Sequence, residues 1–250
     1  MGNWKSFPRN RFSHVAQVCA VVLMLGGGAM ASATADPSTT APSTTAPSTA
    51  APAPTTTASP RTAAATCTDI DVVAARGTFE AEGLGRIIGE PLYAALQKAL
   101  TGKTTSSYAV DYPASLIQPW SVQQGNRDLV NHLSSQAAAC PQQRFILIGY
   151  SQGANVVDNS IGISSAGAVV GGDIAATIPT AIEPKVAALL LFGNPIRALG
   201  KSVTGTYASR TRDFCASGDP ICQAGGLNGA AHLLYGNDAA AAAAFAATKV

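Results

Sequence analysis

Residues 144–153 read RFILIGYSQG. A strand with one wet face alternates apolar and polar residues; Phe145, Ile146, Leu147 and Ile148 do not alternate. An unbroken apolar run of this length predicts a strand over Arg144–Gly149 covered on both faces, the signature of a parallel sheet between helices. It runs directly into Gly149-Tyr150-Ser151-Gln152-Gly153, and a helix is predicted from Gln152 to about Ser160. G-x-S-x-G between a buried strand and a helix is a sharp turn that holds a serine hydroxyl out at the carboxyl edge of a sheet. Side chains would block that turn, so the glycines belong to its chemistry.

The rest of the chain supplies the partners such a strand requires. Asp69–Ala75, Ser107–Tyr112 and Val186–Gly193 read as further strands, and Asp213 ends another. Glu90–Leu100 reads as a helix with Pro91 in its first turn. Gln123–Ala139 is helical by the spacing of Leu129, Leu133 and Ala137, and Asn237 or Asp238 caps an alanine-rich helix ending near Thr248. Strands alternating with helices predict an α/β fold, a central mostly parallel sheet in a three-layer sandwich.

Compartment decides how the cysteines are read. Lys5, Arg9 and Arg11, an apolar run from Val15 to Met30 and the small residues Ala29, Ala31, Ala33 and Ala35 describe a secretory signal peptide over residues 1–35. The run is short for an uncleaved anchor, which needs ~20 apolar residues, and it contains Gly26-Gly27-Gly28. Cys19 lies inside it without the small residues that precede a lipid-modified cysteine. Residues 36–66 are almost entirely Pro, Ser, Thr and Ala, with prolines at 37, 42, 47 and 52; this reads as an extended linker, with residues 67–250 as the globular domain. Beyond residue 35 stand 13 basic and 14 acidic side chains, a net of −1, which excludes the basic stripe of a nucleic-acid binder. Cys67, Cys140, Cys215 and Cys222 then read as two disulfides, and zinc lacks both a Cys-x-x-Cys and a His pair. Three connectivities are open; pairing Cys215 with Cys222 locally is the simplest. Chain entropy gives such a short loop roughly 2.5 kcal/mol and a Cys67–Cys140 loop roughly 4.4 kcal/mol.

A serine nucleophile requires a base. Beyond the signal only His132 and His232 remain, and His132 reads as a surface residue of the Gln123–Ala139 helix. The chain order that accompanies this elbow is serine, acid, histidine, which only His232 obeys. Five acids lie between Ser151 and His232: Asp158, Asp173, Glu183, Asp213 and Asp219. The first three read as solvated or capping residues and Asp213 as the runner-up. Asp219 lies between Cys215 and Cys222, where a cross-link would restrict a carboxylate that must hold an imidazole in place.

These residues together resemble the cutinase family of secreted serine esterases. The resemblance rests on Gly149-Tyr150-Ser151-Gln152-Gly153, Cys215-x-x-Gly218-Asp219-x-x-Cys222 and Ala231-His232-Leu233-x-Tyr235-Gly236-x-Asp238, with thirteen residues from Asp219 to His232. It implies an α/β-hydrolase fold without a large lid, a Ser151, Asp219, His232 triad, and bridges Cys67–Cys140 and Cys215–Cys222. It places an oxyanion hole on the Thr78 and Gln152 backbone N–H groups, in Arg76-Gly77-Thr78 and the elbow. Two apolar loops, Ala114–Trp120 and Ala224–Ala230, would edge the groove, with Leu116, Ile117, Trp120 and Leu227 against an acyl chain. The activity implied is hydrolysis of short- to medium-chain carboxylic esters or lipids through an acyl-enzyme, by an exported or cell-envelope-associated monomer needing no cofactor or metal. A phospholipase or thioesterase acting on envelope lipids would use the same residues. A catalytically silent surface-binding protein would not need all three. The linker and the long glycine-rich Ile161–Pro179 loop depart from the family pattern and bear on substrate size.

Overall fold

Five parallel strands form the centre of the computed structural model, which describes residues 67–250; the expected signal peptide and linker lie outside the described residues. In chain order the elements are β1 (Ile70–Ala75), α1 (Gly89–Ala99), β2 (Thr105–Ala109), α2 (Trp120–Ala139), β3 (Arg144–Tyr150), α3 (Gln152–Ser160), β4 (Val186–Phe192), β5 (Thr211–Phe214) and α4 (Ala239–Ala247). The strand order is β2-β1-β3-β4-β5.

The apolar run that opened the sequence behaves as its composition requires. Phe145 and Leu147 of β3 enter the core under α2 and α3, against Leu129, Leu133, Val156 and Val157. Ile146 and Ile148 enter the opposite core, under α1 and α4, against Leu92, Leu96, Ala242 and Ala246. Successive side chains point to opposite faces, so a strand covered on both sides must be apolar at every position. Each such side chain contributes about 1.5–3 kcal/mol on burial.

Two elements differ from the sequence reading by more than one residue, each for a local reason. The edge strand β2 covers Thr105–Ala109 rather than Ser107–Tyr112. Val110 N–H still donates to Ala74 O at 2.9 Å, but Tyr112 has left the ladder: it is fully buried, and its hydroxyl donates to the Arg76 carbonyl. Its burial is tertiary, and local pattern reads such burial as strand. Helix α2 begins at Trp120, directly after Pro119, so Trp120 belongs to a first helical turn instead of a loop. At α4, Asp238 occupies the N-cap position without a side-chain capping bond.

The reversal of strand order falls between β1 and β3, where Ala75 pairs with Gly149. At such a switch point the loops leaving adjacent strands diverge and open a crevice at the carboxyl edge. Here those loops are Arg76-Gly77-Thr78 and Tyr150-Ser151-Gln152. Both disulfides are formed: Cys67–Cys140, with Cα atoms 5.6 Å apart, joins the chain before β1 to the end of α2, and Cys215–Cys222, 5.8 Å apart, closes the turn after β5.

Candidate active site

Ser151 stands between β3 and α3 at φ 54° and ψ −117°, a left-handed conformation that a side-chain-bearing residue adopts only under tertiary constraint. The constraint is visible in the flanking glycines. A Cβ on Gly153 would lie 1.9 Å from Ala75 O, and one on Gly149 would lie 2.7 Å from Ala154 Cα. Helix and sheet therefore approach closely on both sides of the serine, and Ser151 N–H donates to Phe192 O at 2.9 Å.

The three residues selected by chain order meet. Ser151 Oγ is 2.9 Å from His232 Nε2, and His232 Nδ1 is 2.8 Å from Asp219 Oδ2. His232 is carried on a short 3-10 turn, Gly229–Leu233, which Asn228 caps by accepting from Ala231 N–H. Asp219 has no solvent exposure and is held from several sides. Its Oδ1 accepts Ile221 N–H at 2.8 Å, and its Oδ2 also accepts the Tyr235 hydroxyl at 2.6 Å. Burial alone would raise this carboxyl; the hydrogen bond and positive charge of His232, with the Tyr235 and Ile221 donors, outweigh it and hold the group below its ordinary value.

The other acids and the other histidine lie elsewhere. His132 is not the surface residue expected: its side chain is 17% exposed, it bonds Asp71 Oδ2 at 2.7 Å, and it stacks on Tyr108 with ring centroids 3.5 Å apart. Asp71 pairs with Ser106 near the start of β1, at the amino edge of the sheet, away from Ser151. Asp158 is likewise no solvated helix residue. It is completely buried, neither of its carboxylate oxygens has a hydrogen-bond partner among the described residues, and burial, then the nearby Asp213 charge, pushes its carboxyl well above the ordinary value. Burial likewise pushes Asp213 up to about 6, although Arg197 lies 3.4 Å away and Asn194 donates to it at 3.1 Å. Glu183 is half-buried and paired with Arg210 at 3.2 Å, and Asp173 is exposed.

Beside the serine, the Thr78 loop is braced at every turn. Buried Arg76 donates to Tyr112 O at 2.6 Å and to Glu80 O at 3.0 Å. The Glu80 carboxylate accepts Gly77 N–H at 2.6 Å and Ile87 N–H at 2.8 Å. Gln152 links this loop to the elbow: its Nε2 donates to Ser115 O at 2.8 Å and to Thr78 Oγ1 at 3.3 Å, while its Oε1 accepts from Ser121 at 2.8 Å. The backbone N–H groups of Thr78 and Gln152 make no hydrogen bond to another described residue. Two unengaged donors beside a serine are what a developing oxyanion requires.

Exposed apolar side chains neighbour these groups along the chain. Leu116, Ile117 and Trp120, 47%, 67% and 50% exposed, follow or adjoin the Ser115 and Ser121 contacts of Gln152, and Leu227 is 96% exposed on the loop before His232. Phe79, Leu233 and Leu234, which sequence reading does not select, are exposed apolar residues close in the chain to Thr78 and His232. Their adjacency to Thr78 and His232 was the available signal. Tyr150 and Tyr235 were also passed over for any role; Tyr150 donates from its hydroxyl to His232 O at 2.8 Å.

A family model described as Cutinase matches residues 66–250. A cutinase of Kineococcus radiotolerans is 40% identical over 179 residues, 70% of this chain and 58% of that protein, so the chain spans less than two thirds of that relative. Phospholipase Culp4 of Mycobacterium tuberculosis is 38% identical over 176 residues, covering 69% of this chain and 74% of the relative. Among solved structures, a Trichoderma reesei cutinase in complex with a C11Y4 phosphonate inhibitor superimposes with a TM-score of 0.59 at 34% identity, over 72% of this chain and 75% of that one.

Proposed function

Because this chain belongs to the cutinase family and is a cutinase-like carboxylic ester hydrolase, we propose that it works through an acyl-enzyme on Ser151. His232 Nε2 takes the hydroxyl proton as Oγ attacks the ester carbonyl, and Asp219 holds the imidazole and offsets its charge once protonated. The carbonyl oxygen, charged in the tetrahedral intermediate, receives the Thr78 and Gln152 backbone N–H groups. Thr78 Oγ1 accepts from Gln152 Nε2, which leaves its own proton to donate to the same oxygen. The intermediate collapses, His232 protonates the departing alkoxide, and water repeats the sequence to release the acid. Every step uses side chains and backbone of this chain.

The observation that carries this reading is the unbroken hydrogen-bonded chain from Ser151 through His232 to Asp219 beside two unengaged N–H donors. The exposed apolar side chains of Leu116, Ile117, Trp120 and Leu227 support an acyl chain of short to medium length as the group held. A second reading, hydrolysis of phospholipid esters, is supported by the similarity to Phospholipase Culp4. Two formed disulfides support export, with the linker of residues 36–66 as a tether at the cell envelope and action as a monomer as parts of the same reading. Hydrolysis rates across soluble esters of increasing acyl length, with phospholipid vesicles in parallel, test it. A maximum among soluble short- to medium-chain esters supports the first reading, and preference for vesicles supports the second. No hydrolysis of either would refute both.

A further inference from the structure

Asp219 Oδ2 accepts two donors at once, His232 Nδ1 at 2.8 Å and the Tyr235 hydroxyl at 2.6 Å. The Tyr235 contact is directed. Ala216 N–H donates to the phenol oxygen at 3.0 Å, occupying one lone pair and turning the O–H toward the carboxylate. The ring has no freedom to swing away: it is fully buried, edge-on to Phe192 and Tyr150 at 5.9 Å each and to His232 at 6.1 Å. Burial and the Asp219 charge push its ionisation well above the ordinary phenol value, so it remains a donor throughout the working range. Two donors on one oxygen share its negative charge, and the share drawn by the phenol is lost to the imidazolium.

We propose that Tyr235 is a positioning residue that sets the lower edge of the working pH range, by donating to the same carboxylate oxygen as His232 and so weakening its hold on the imidazolium. The inference rests on the assignment of His232 as base under Proposed function. A base must be neutral to accept the serine proton. An Asp219 carboxylate with His232 as its one side-chain donor would stabilise the imidazolium more and keep the base occupied to higher pH. Tyr235 offsets this while satisfying a carboxylate that has no access to water. The other polar and titratable groups facing the array are the Ser151 and Tyr150 hydroxyls, with Glu80 acting on Tyr150 and Asp213 on Tyr235 as like-signed charges. Cys222 Sγ lies 3.4 Å from Asp219 Oδ2 and, in its disulfide, brings no charge. All of these stay in place when the phenol oxygen alone is removed.

The test is the pH profile of kcat/KM for Tyr235→Phe on a soluble ester, beside wild type and Ser151→Ala. The acidic limb should move to higher pH by about half to one unit, the size of a change in one charge-assisted hydrogen bond. KM and the plateau rate should change far less than the rate on the limb. Placing 3-fluorotyrosine at position 235, a more acidic phenol and stronger donor, should move the limb the opposite way; this arm carries the test if Tyr235→Phe does not fold. A tyrosine that serves packing alone would lower the rate equally at every pH, and an unmoved limb in the folded variants overturns the proposal. Activity surviving in Ser151→Ala would instead overturn the mechanism beneath it.

Discussion

His232 and His132 each hold an aspartate at under 3 Å, yet they differ in what the rest of the ring meets: His232 has Ser151 Oγ on its second nitrogen, and His132 has Tyr108 stacked on its face. The expected outcomes differ accordingly. His232→Ala should lose at least ~10³-fold in kcat while remaining folded. His132→Ala should keep kcat within a few-fold but lose roughly 1–3 kcal/mol of stability, because Asp71 stays buried with one partner fewer. Equal rate losses, measured with unfolding curves for both, would undo the assignment of the base. Chain order was enough to separate the two histidines as candidates. The stacking of His132 was hidden because Tyr108, Asp71 and His132 come from three separate elements. Asp158 was misread for the same reason: nothing in QGANVVDNS distinguishes a helix face against solvent from one beneath a loop.

At the scale of elements, α3 carries the buried Asp158 and β5 the largely buried Asp213, and burial favours the neutral form of each. For a carboxyl raised by folding, stability is fully present below the unfolded value and is lost as pH rises toward the folded one. For Asp213 that window runs from 3.8 to about 6, a loss on the order of 3 kcal/mol, and Asp158, raised by burial in the same direction, adds to it. Asp158→Asn should therefore raise Tm at pH 8 and change it little at pH 4; a Tm that falls at pH 8 would contradict the account. The Cys215–Cys222 turn carries a second expectation. Its bridge contributes only about 2.5 kcal/mol by chain entropy, but Asp219 lies inside it and Cys222 Sγ touches its carboxylate. Cys215→Ser with Cys222→Ser should lower turnover at temperatures where circular dichroism shows a fully folded protein. Turnover equal to wild type there would leave the bridge as a structural staple, with Ile221 N–H and Tyr235 sufficient to hold Asp219. The buried strands were legible because covering on both faces demands unbroken apolar residues. The edge strand β2, reading TSSYA, has no such pattern, and its start moved by two residues and its end by three.

Across residues 67–250, the candidate site and the first described residues lie at opposite edges of the sheet. The elbow and the Thr78, Asp219 and His232 segments all follow strands at the carboxyl edge, whereas Cys67, where the described chain begins, precedes β1 at the amino edge. Residues 67–250 contain both cores, both disulfides and the whole candidate site. Expressed without residues 1–66, the domain should hydrolyse soluble esters with kcat/KM within about twofold of the longer chain; a larger loss would give that segment a part in the chemistry. The central claim is that His232 activates Ser151 for attack, and covalent trapping measures it most directly. Folded protein is treated with a fluorophosphonate ester, residual hydrolysis is followed, and the modified peptide is identified by mass spectrometry. The account predicts one adduct per chain, on Ser151, formed in step with loss of activity and absent from Ser151→Ala and His232→Ala. An adduct on another residue, or hydrolysis that persists after Ser151 is fully modified, would contradict it.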